Sequence, residues 1–229
     1  MRPLIYSKRD AEISKVGWQR SGGGIKYYPS KKKLLTQQTL LFTLSFSVET
    51  DHDNDTVYFA HCYPYTYSDC ILMMKRVCTT AYLKDRIRRT DLCKTKAGNN
   101  VELLIITNFT SNQDAIAERK CVIVTSRVHP GESNASFIVE GFLEFIVSNE
   151  KEAKALRNSY VFKIIPMLNP DGVIVGNYRT NLNGLDLNRQ WQNPSVKMSP
   201  EILSVKEMVK KTLECREIHL FVDIHGHSR

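Results

Sequence analysis

No stretch of this 229-residue chain is long and apolar enough to cross a membrane as a helix. The longest apolar-leaning run, Leu40 to Val48, is about half of the ~20 residues such a span requires, and Thr43, Ser45 and Ser47 interrupt it, so it predicts a strand. The amino end lacks the apolar core of an export signal, because Met1-Arg2-Pro3 runs quickly into Ser7-Lys8-Arg9-Asp10; a cytosolic protein is expected. The six cysteines contain no C-x-x-C pair, which speaks against a zinc knuckle or a redox motif, and in the cytosol they should stay reduced. With only 11 Gly and 8 Pro the chain is neither collagen-like nor of low complexity. What it does have, 42% apolar and 9% aromatic residues, is enough for one large or two modest domains with a real core.

The formal charge of +8 is uneven. Residues 1–120 hold 19 Lys+Arg against 12 Asp+Glu, and residues 121–229 hold 13 against 12. Lys31, Lys32 and Lys33, and the cluster of Lys84, Arg86, Arg88 and Arg89, could attract an acidic partner. No nucleic-acid-binding motif accompanies them, so specific nucleic-acid recognition is not expected.

Two rhythms divide the chain. Up to about residue 90 it reads as strands and turns: TLLFTLSFSV alternates in period two, DHDND breaks it and TVYFAHCY resumes it, with a helix expected from Asp69 to Arg89. Beyond about residue 95, strands alternate with helices. Val101–Thr107, Cys121–Ser126, Tyr160–Pro166 and Ile218–Ile224 have the length and continuous apolar character of buried strands. Helices are expected over about 134–148, capped by Ser133 or Asn134, and from Pro200 to about Glu214. Such alternation predicts an α/β layer around a largely buried sheet.

The chemistry gathers where two of these strands end. CVIVTS leads into Arg127-Val128-His129-Pro130-Gly131-Glu132, and His225 follows IHLFVDI. Carboxyl ends of strands in open α/β sheets are where ligand crevices form. Two imidazoles and a carboxylate form the N/O set that zinc takes in catalytic sites with one position left open. H-x-x-E alone is a short pattern. Around it stand Asn169-Pro170-Asp171-Gly172, Asn177-Tyr178-Arg179, Asp186-Leu187-Asn188-Arg189-Gln190-Trp191 and Asp223-Ile224-His225-Gly226-His227. Pro170-Asp171-Gly172 reads as a turn, Tyr178 and Trp191 as walls of the crevice, and His219 as a packed core residue; His227 suits a supporting role, and His52 and His61 carry no signal.

Together these segments, with DNDTVYFAHCYPYTYSD (53–69) and LCKTKAGNNVELLIITN (92–108), resemble the cytosolic carboxypeptidases, the zinc metallocarboxypeptidase branch that includes the tubulin deglutamylases. The resemblance implies a zinc-carboxypeptidase-like α/β fold, a mixed sheet flanked by helices and incomplete here, in residues 93–229. A partial β-sandwich domain in residues 1–92 would precede it. It implies one zinc ion held by His129, Glu132 and His225, oxyanion stabilisation by Arg179, and a grip on the substrate's terminal carboxylate by Asn188 and Arg189. Permanently charged guanidinium forks suit both of the latter tasks.

By the same resemblance the chain begins inside the β-rich domain and stops before the family's general-base glutamate and side-chain pocket. Glu140 and Glu144, on the helix after the metal loop, are poor substitutes for that base. The implied activity is removal of C-terminal glutamates from acidic protein tails, tubulin or microtubules foremost. The alternative is a relative that binds zinc or such tails without cleaving them. An aspartoacylase-like amidohydrolase shares H-x-x-E plus a distant His, but DLNRQW argues against it.

Overall fold

The computed structural model describes residues 2–33, 40–79 and 84–226. The chain forms two compact units, residues 1–64 and 65–229.

The first unit contains β1 (Leu4–Ser7), α1 (Lys8–Ser14), β2 (Gln19–Arg20), β3 (Gly23–Lys33), β4 (Leu40–Ser47) and β5 (Val57–Ala60). A three-stranded sheet runs in the order β2-β1-β5, and β3 pairs antiparallel with β4. The expected strands over TLLFTLSFSV and TVYFAHCY are β4 and β5, and the Phe46 and Phe59 rings touch between the two sheets at 5.9 Å. The short helix α1 was not expected; Ser7 caps it by accepting from the Asp10 N–H. Leu4 is the fully buried large apolar side chain of this unit among the described residues, while Tyr27, Phe42, Leu44, Tyr58 and Phe59 stay exposed.

The second unit begins with α2 (Tyr67–Thr79), β6 (Ile87–Lys94), β7 (Asn100–Ile106), α3 (Gln113–Ala117) and β8 (Lys120–Ser126). It continues through α4 (Ser133–Val147), α5 (Lys151–Ser159), β9 (Tyr160–Ile165), α6 (Pro170–Val175), α7 (Pro200–Leu213) and β10 (Ile218–Ile224). Its five-stranded sheet has the order β10-β8-β9-β7-β6. β10, β8 and β9 are parallel, while β7 and β6 run antiparallel to their neighbours, so the sheet is mixed as expected.

Period-two alternation sends side chains to two separate cores. Leu104, Ile106, Val122, Val124, Phe162 and Ile164 face α2 and α4, which supply Met73, Met74, Val139, Leu143 and Ile146. Leu103, Cys121, Ile123 and Ile165 face the other way, against Ile202, Val205 and Met208 of α7. Burial on both faces is why these strands read as continuous apolar runs, and each such side chain contributes roughly 1.5–3 kcal/mol.

Three expectations need correction. The boundary at 92/93 falls inside β6, whereas the compact units divide at 64/65. The expected Asp69–Arg89 helix ends at Thr79, and Ile87 onward is strand; residues 80–83 lie outside the described residues. Backbone pairing with β7 overrides the charges of β6, because an edge strand can leave Arg88 and Arg89 exposed. Finally, His219 is not a core residue. Among the described residues β10 is the opposite edge strand, and His219 is exposed with its ring 5.3 Å from that of Tyr160. Beside it an apolar cavity of about 430 Å³ opens between α4, α5 and β10, with Val122, Phe142, Leu220 and Val222 in its walls.

Candidate metal centre

The carboxyl ends of β8 and β10 lie side by side, with Ser126 in register with Ile224, so the segments that follow them meet. One ligand atom each of His129, Glu132 and His225 lies within 4.8 Å of the others. His129 Nδ1 is 2.8 Å from Glu132 Oε1, and His225 Nδ1 is 3.1 Å from Oε2 of the same carboxylate. The opposite nitrogen of each ring is also held: His129 Nε2 is 3.0 Å from Asp186 Oδ1 and His225 Nε2 is 2.8 Å from Asp223 Oδ2.

A neutral imidazole carries a single N–H, yet each ring here meets a carboxylate oxygen at both nitrogens. If Nε2–H donates outward to Asp186 and to Asp223, both Nδ1 lone pairs converge on Glu132 and need a cation between them. Backing of this kind, imidazole to carboxylate, is what fixes the tautomer of metal-ligating histidines. The formal charge of Glu132, Asp186 and Asp223 against Arg179 is −2, matched to a divalent ion. The donors present therefore fit zinc.

Local structure builds this arrangement. Arg127, between β8 and the metal loop, has φ 55°, a left-handed conformation that costs a side-chain-bearing residue on the order of 1 kcal/mol. Its guanidinium, 4% exposed, fastens the loop by donating to Pro130 O (2.9 Å), Ser136 Oγ (2.7 Å) and Tyr65 O (3.1 Å). Gly131 donates to Tyr178 O at 2.7 Å, and a Cβ there would fall 2.5 Å from the Tyr178 ring. Glu132 stands at the N-cap of α4, contrary to the expected Ser133 or Asn134, and its side chain reaches back to accept from Gly226 N–H at 2.8 Å. Burial would raise the Glu132 pKa, but that N–H and the two imidazoles outweigh it and hold the carboxyl below its ordinary value. Asp186 behaves alike: burial is outweighed by His129 and Arg179, so it too titrates low.

Asn169-Pro170-Asp171-Gly172 is not a bare turn. Asn169 caps α6 by accepting from Gly172 N–H and donates to Val128 O, while buried Asp171 accepts from Thr95, Ala97 and Asn99. The motif is a bracket beneath the metal loop.

Of the remaining expected residues, Arg179 joins this centre through Asp186 and Asn188 through His225. Arg179 donates Nε to Asp186 Oδ2 at 2.7 Å, leaving both terminal nitrogens uncommitted among the described residues. Arg189 is exposed, and among the described residues its one side-chain hydrogen bond is a 3.4 Å contact from Nη1 to Asn188 O. Asn188 accepts from Trp191 Nε1 at 2.9 Å, and its Nδ2 lies 3.5 Å from His225 Nε2. Glu140 and Glu144 both hold Arg76, at 2.8 and 2.6 Å. His227 lies outside the described residues.

A model of the zinc carboxypeptidases matches residues 77–229. The chain belongs to this family. Within it the similarity is to the cytosolic carboxypeptidases: the whole chain is 47% identical to 26% of cytosolic carboxypeptidase 2 of Mus musculus, and 43% identical to 22% of cytosolic carboxypeptidase 3 of Bos taurus. It thus spans about a quarter of the length of these curated relatives. A solved metallo-carboxypeptidase from Burkholderia cenocepacia superposes on 99% of the chain and 52% of its own, with 25% identity and a TM-score of 0.73.

Sequence reasoning missed Asp186 and Asp223 as partners of the histidines. A signal existed: Asp223 and His225 are two apart at the end of β10, hence on one side of it. Arg127 was invisible because nothing in a sequence announces a left-handed arginine.

Proposed function

We propose that the chain carries the metal-binding and carboxylate-gripping part of a zinc-dependent carboxypeptidase that removes C-terminal glutamates from acidic protein tails, tubulin among them, in the cytosol and in reach of microtubules. The observation that carries this reading is the convergence of His129, Glu132 and His225 with both imidazoles backed by aspartates. A zinc ion held there supplies Lewis acidity and activates water towards a peptide carbonyl. Arg179, anchored by Nε, directs its free Nη groups to the oxygen on which charge develops. Arg189 presents an exposed fork to the terminal carboxylate, with Asn188 beside it. The names of the curated relatives and the basic balance of the chain support the cytosolic location and the acidic substrate. Among the described residues, no helix is long and apolar enough to cross a membrane.

Purified protein is expected to hold close to one zinc per chain by atomic emission, and His129→Ala to lose it; unchanged zinc content would remove the ligand assignment. Arg189→Ala should weaken capture of a Glu-ending peptide by roughly 10-fold or more with zinc retained, since a hydrogen bond to a charged group is worth about 1.5–3 kcal/mol. Equal capture would remove Arg189 from carboxylate binding.

A second reading, binding without cleavage, is favoured by the engagement of Glu140 and Glu144 with Arg76, which leaves neither available as general base. Release of glutamate from a Glu-ending peptide separates the two: the first reading expects it and the second does not.

A further inference from the structure

A polar cavity of about 310 Å³ lies at the end of the sheet away from the metal centre. Asp85 and Arg86 before β6, Asn108 and Thr110 after β7, and Lys154, Arg157 and Asn158 of α5 line it. β8 and β9 are parallel and begin in register at Lys120 and Tyr160, and β7 ends beside the start of β9. The cavity is therefore at the amino ends of the parallel strands, whereas the metal centre is at their carboxyl ends. Nothing in the carboxypeptidase chemistry uses it.

Its charge is one-sided. Arg86, Lys154 and Arg157 outnumber Asp85, giving the lining a formal +2. Arg157 is 3% exposed, and no ion pair to a carboxylate exists for it among the described residues. Its Nη1 donates to Ile146 O and Ser148 O at the carboxyl end of α4, while Nε and Nη2 make no hydrogen bond among the described residues. Arg86 joins the same helix end through Val147 O and Ser148 O and donates its Nη2 to Asn149 Oδ1 at 2.6 Å. Burial, and next the charge of Arg86, pull the Arg157 pKa below that of a free guanidinium, which is the mark of a buried cation whose charge is incompletely answered. Carbonyl dipoles at a helix end supply about half a negative charge in total, less than the full charge of the buried Arg157 guanidinium. Asn108 and Asn158, hydrogen-bonded to each other at 2.8 Å, add amide donors on the wall.

We infer that this cavity binds a small phosphate-bearing anion. A lining of +2, with Arg157 Nε and Nη2 uncommitted among the described residues, calls for a ligand that concentrates two negative charges and several acceptors on one centre. A phosphate group at neutral pH carries about −1.5 to −2 with three strong acceptor oxygens, whereas a carboxylate carries −1. Arginine forks match either geometry, so charge decides between them.

The test is calorimetric titration of the protein with inorganic pyrophosphate at constant ionic strength, repeated with acetate. Saturable pyrophosphate binding is expected, with acetate silent. Lys154→Glu, at an exposed lining position that should not compromise folding, is expected to weaken pyrophosphate at least 10-fold. Lys151→Glu, exposed on the same helix outside the lining, is expected to leave it within 2-fold. Pyrophosphate affinity that survives Lys154→Glu would place the anion elsewhere, at the metal centre for instance, and overturn the inference. Absent binding, equal loss in both variants, or acetate binding as tightly as pyrophosphate would overturn it too.

Discussion

Asp186 accepts from His129 and from Arg179 through its two oxygens, so one short side chain sets the relative position of a proposed metal ligand and of the guanidinium proposed to meet the oxyanion. Asp223 plays the parallel part for His225 and is itself fixed by Thr125 Oγ1 at 2.8 Å. Outer partners of this kind are worth 10- to 100-fold in metal affinity. Asp186→Asn and Asp223→Asn are each expected to weaken zinc binding by about that factor, read by competition with a chromogenic chelator, while melting without metal shifts little. Unchanged affinity would mean that the histidines hold their orientation by packing alone. Both aspartates stand inside motifs that are plain in the sequence, yet their task is not, because a carboxylate two or 57 positions from a histidine becomes its partner only when the backbone brings them together.

The buried elements β8, α4 and α7 lie within a residue or two of where apolar runs and helical spacing place them, because the same burial that stabilises them writes their pattern. β10 falls where its apolar run places it although none of its residues is buried among the described residues. β6 and α5 were misread or missed: one is an edge strand with Arg88, Arg89 and Asp91 exposed, the other a charged helix burying Ala153 and Arg157. Glu201, in the first turn of α7, is 1% exposed, and its Oε2 lacks a hydrogen-bond partner among the described residues. Burial, opposed weakly by its own backbone N–H and reinforced by Asp171, pushes its carboxyl up from 4.5 to about 7. The folded state therefore keeps a proton that the unfolded chain gives up. Stability should be full below about pH 4.5 and fall as pH rises towards 7, by at most roughly 3 kcal/mol for this group. Glu201→Gln should flatten that part of the profile, which denaturant melts at pH 5 and pH 7.5 would show; an unchanged slope would mean that the group is ionised throughout.

The three proposed ligands, the aspartates beside them, and Arg179 and Arg189 belong to the unit formed by residues 65–229. Residues 65–229 expressed alone should accordingly bind zinc with the affinity of the whole chain, measured by the same chelator competition, and a large loss would assign the first unit a part in holding the centre. Within the second unit the site has an unusual dependence on order of events. His129 and Glu132 are neighbours in sequence, but His225 and Asp223 reach them only when β10 lies against β8, across 93 positions of chain from Glu132 to His225. Closing so long a loop is the slow part of folding for contacts of high sequence separation. Before that moment the chain offers an ion two donors; afterwards it offers three, rigidly aimed. Uptake of zinc during refolding should hence run on the clock of β10 docking, later than the burst in which helices form, and a metal-sensitive dye would time the moment β10 pairs with β8.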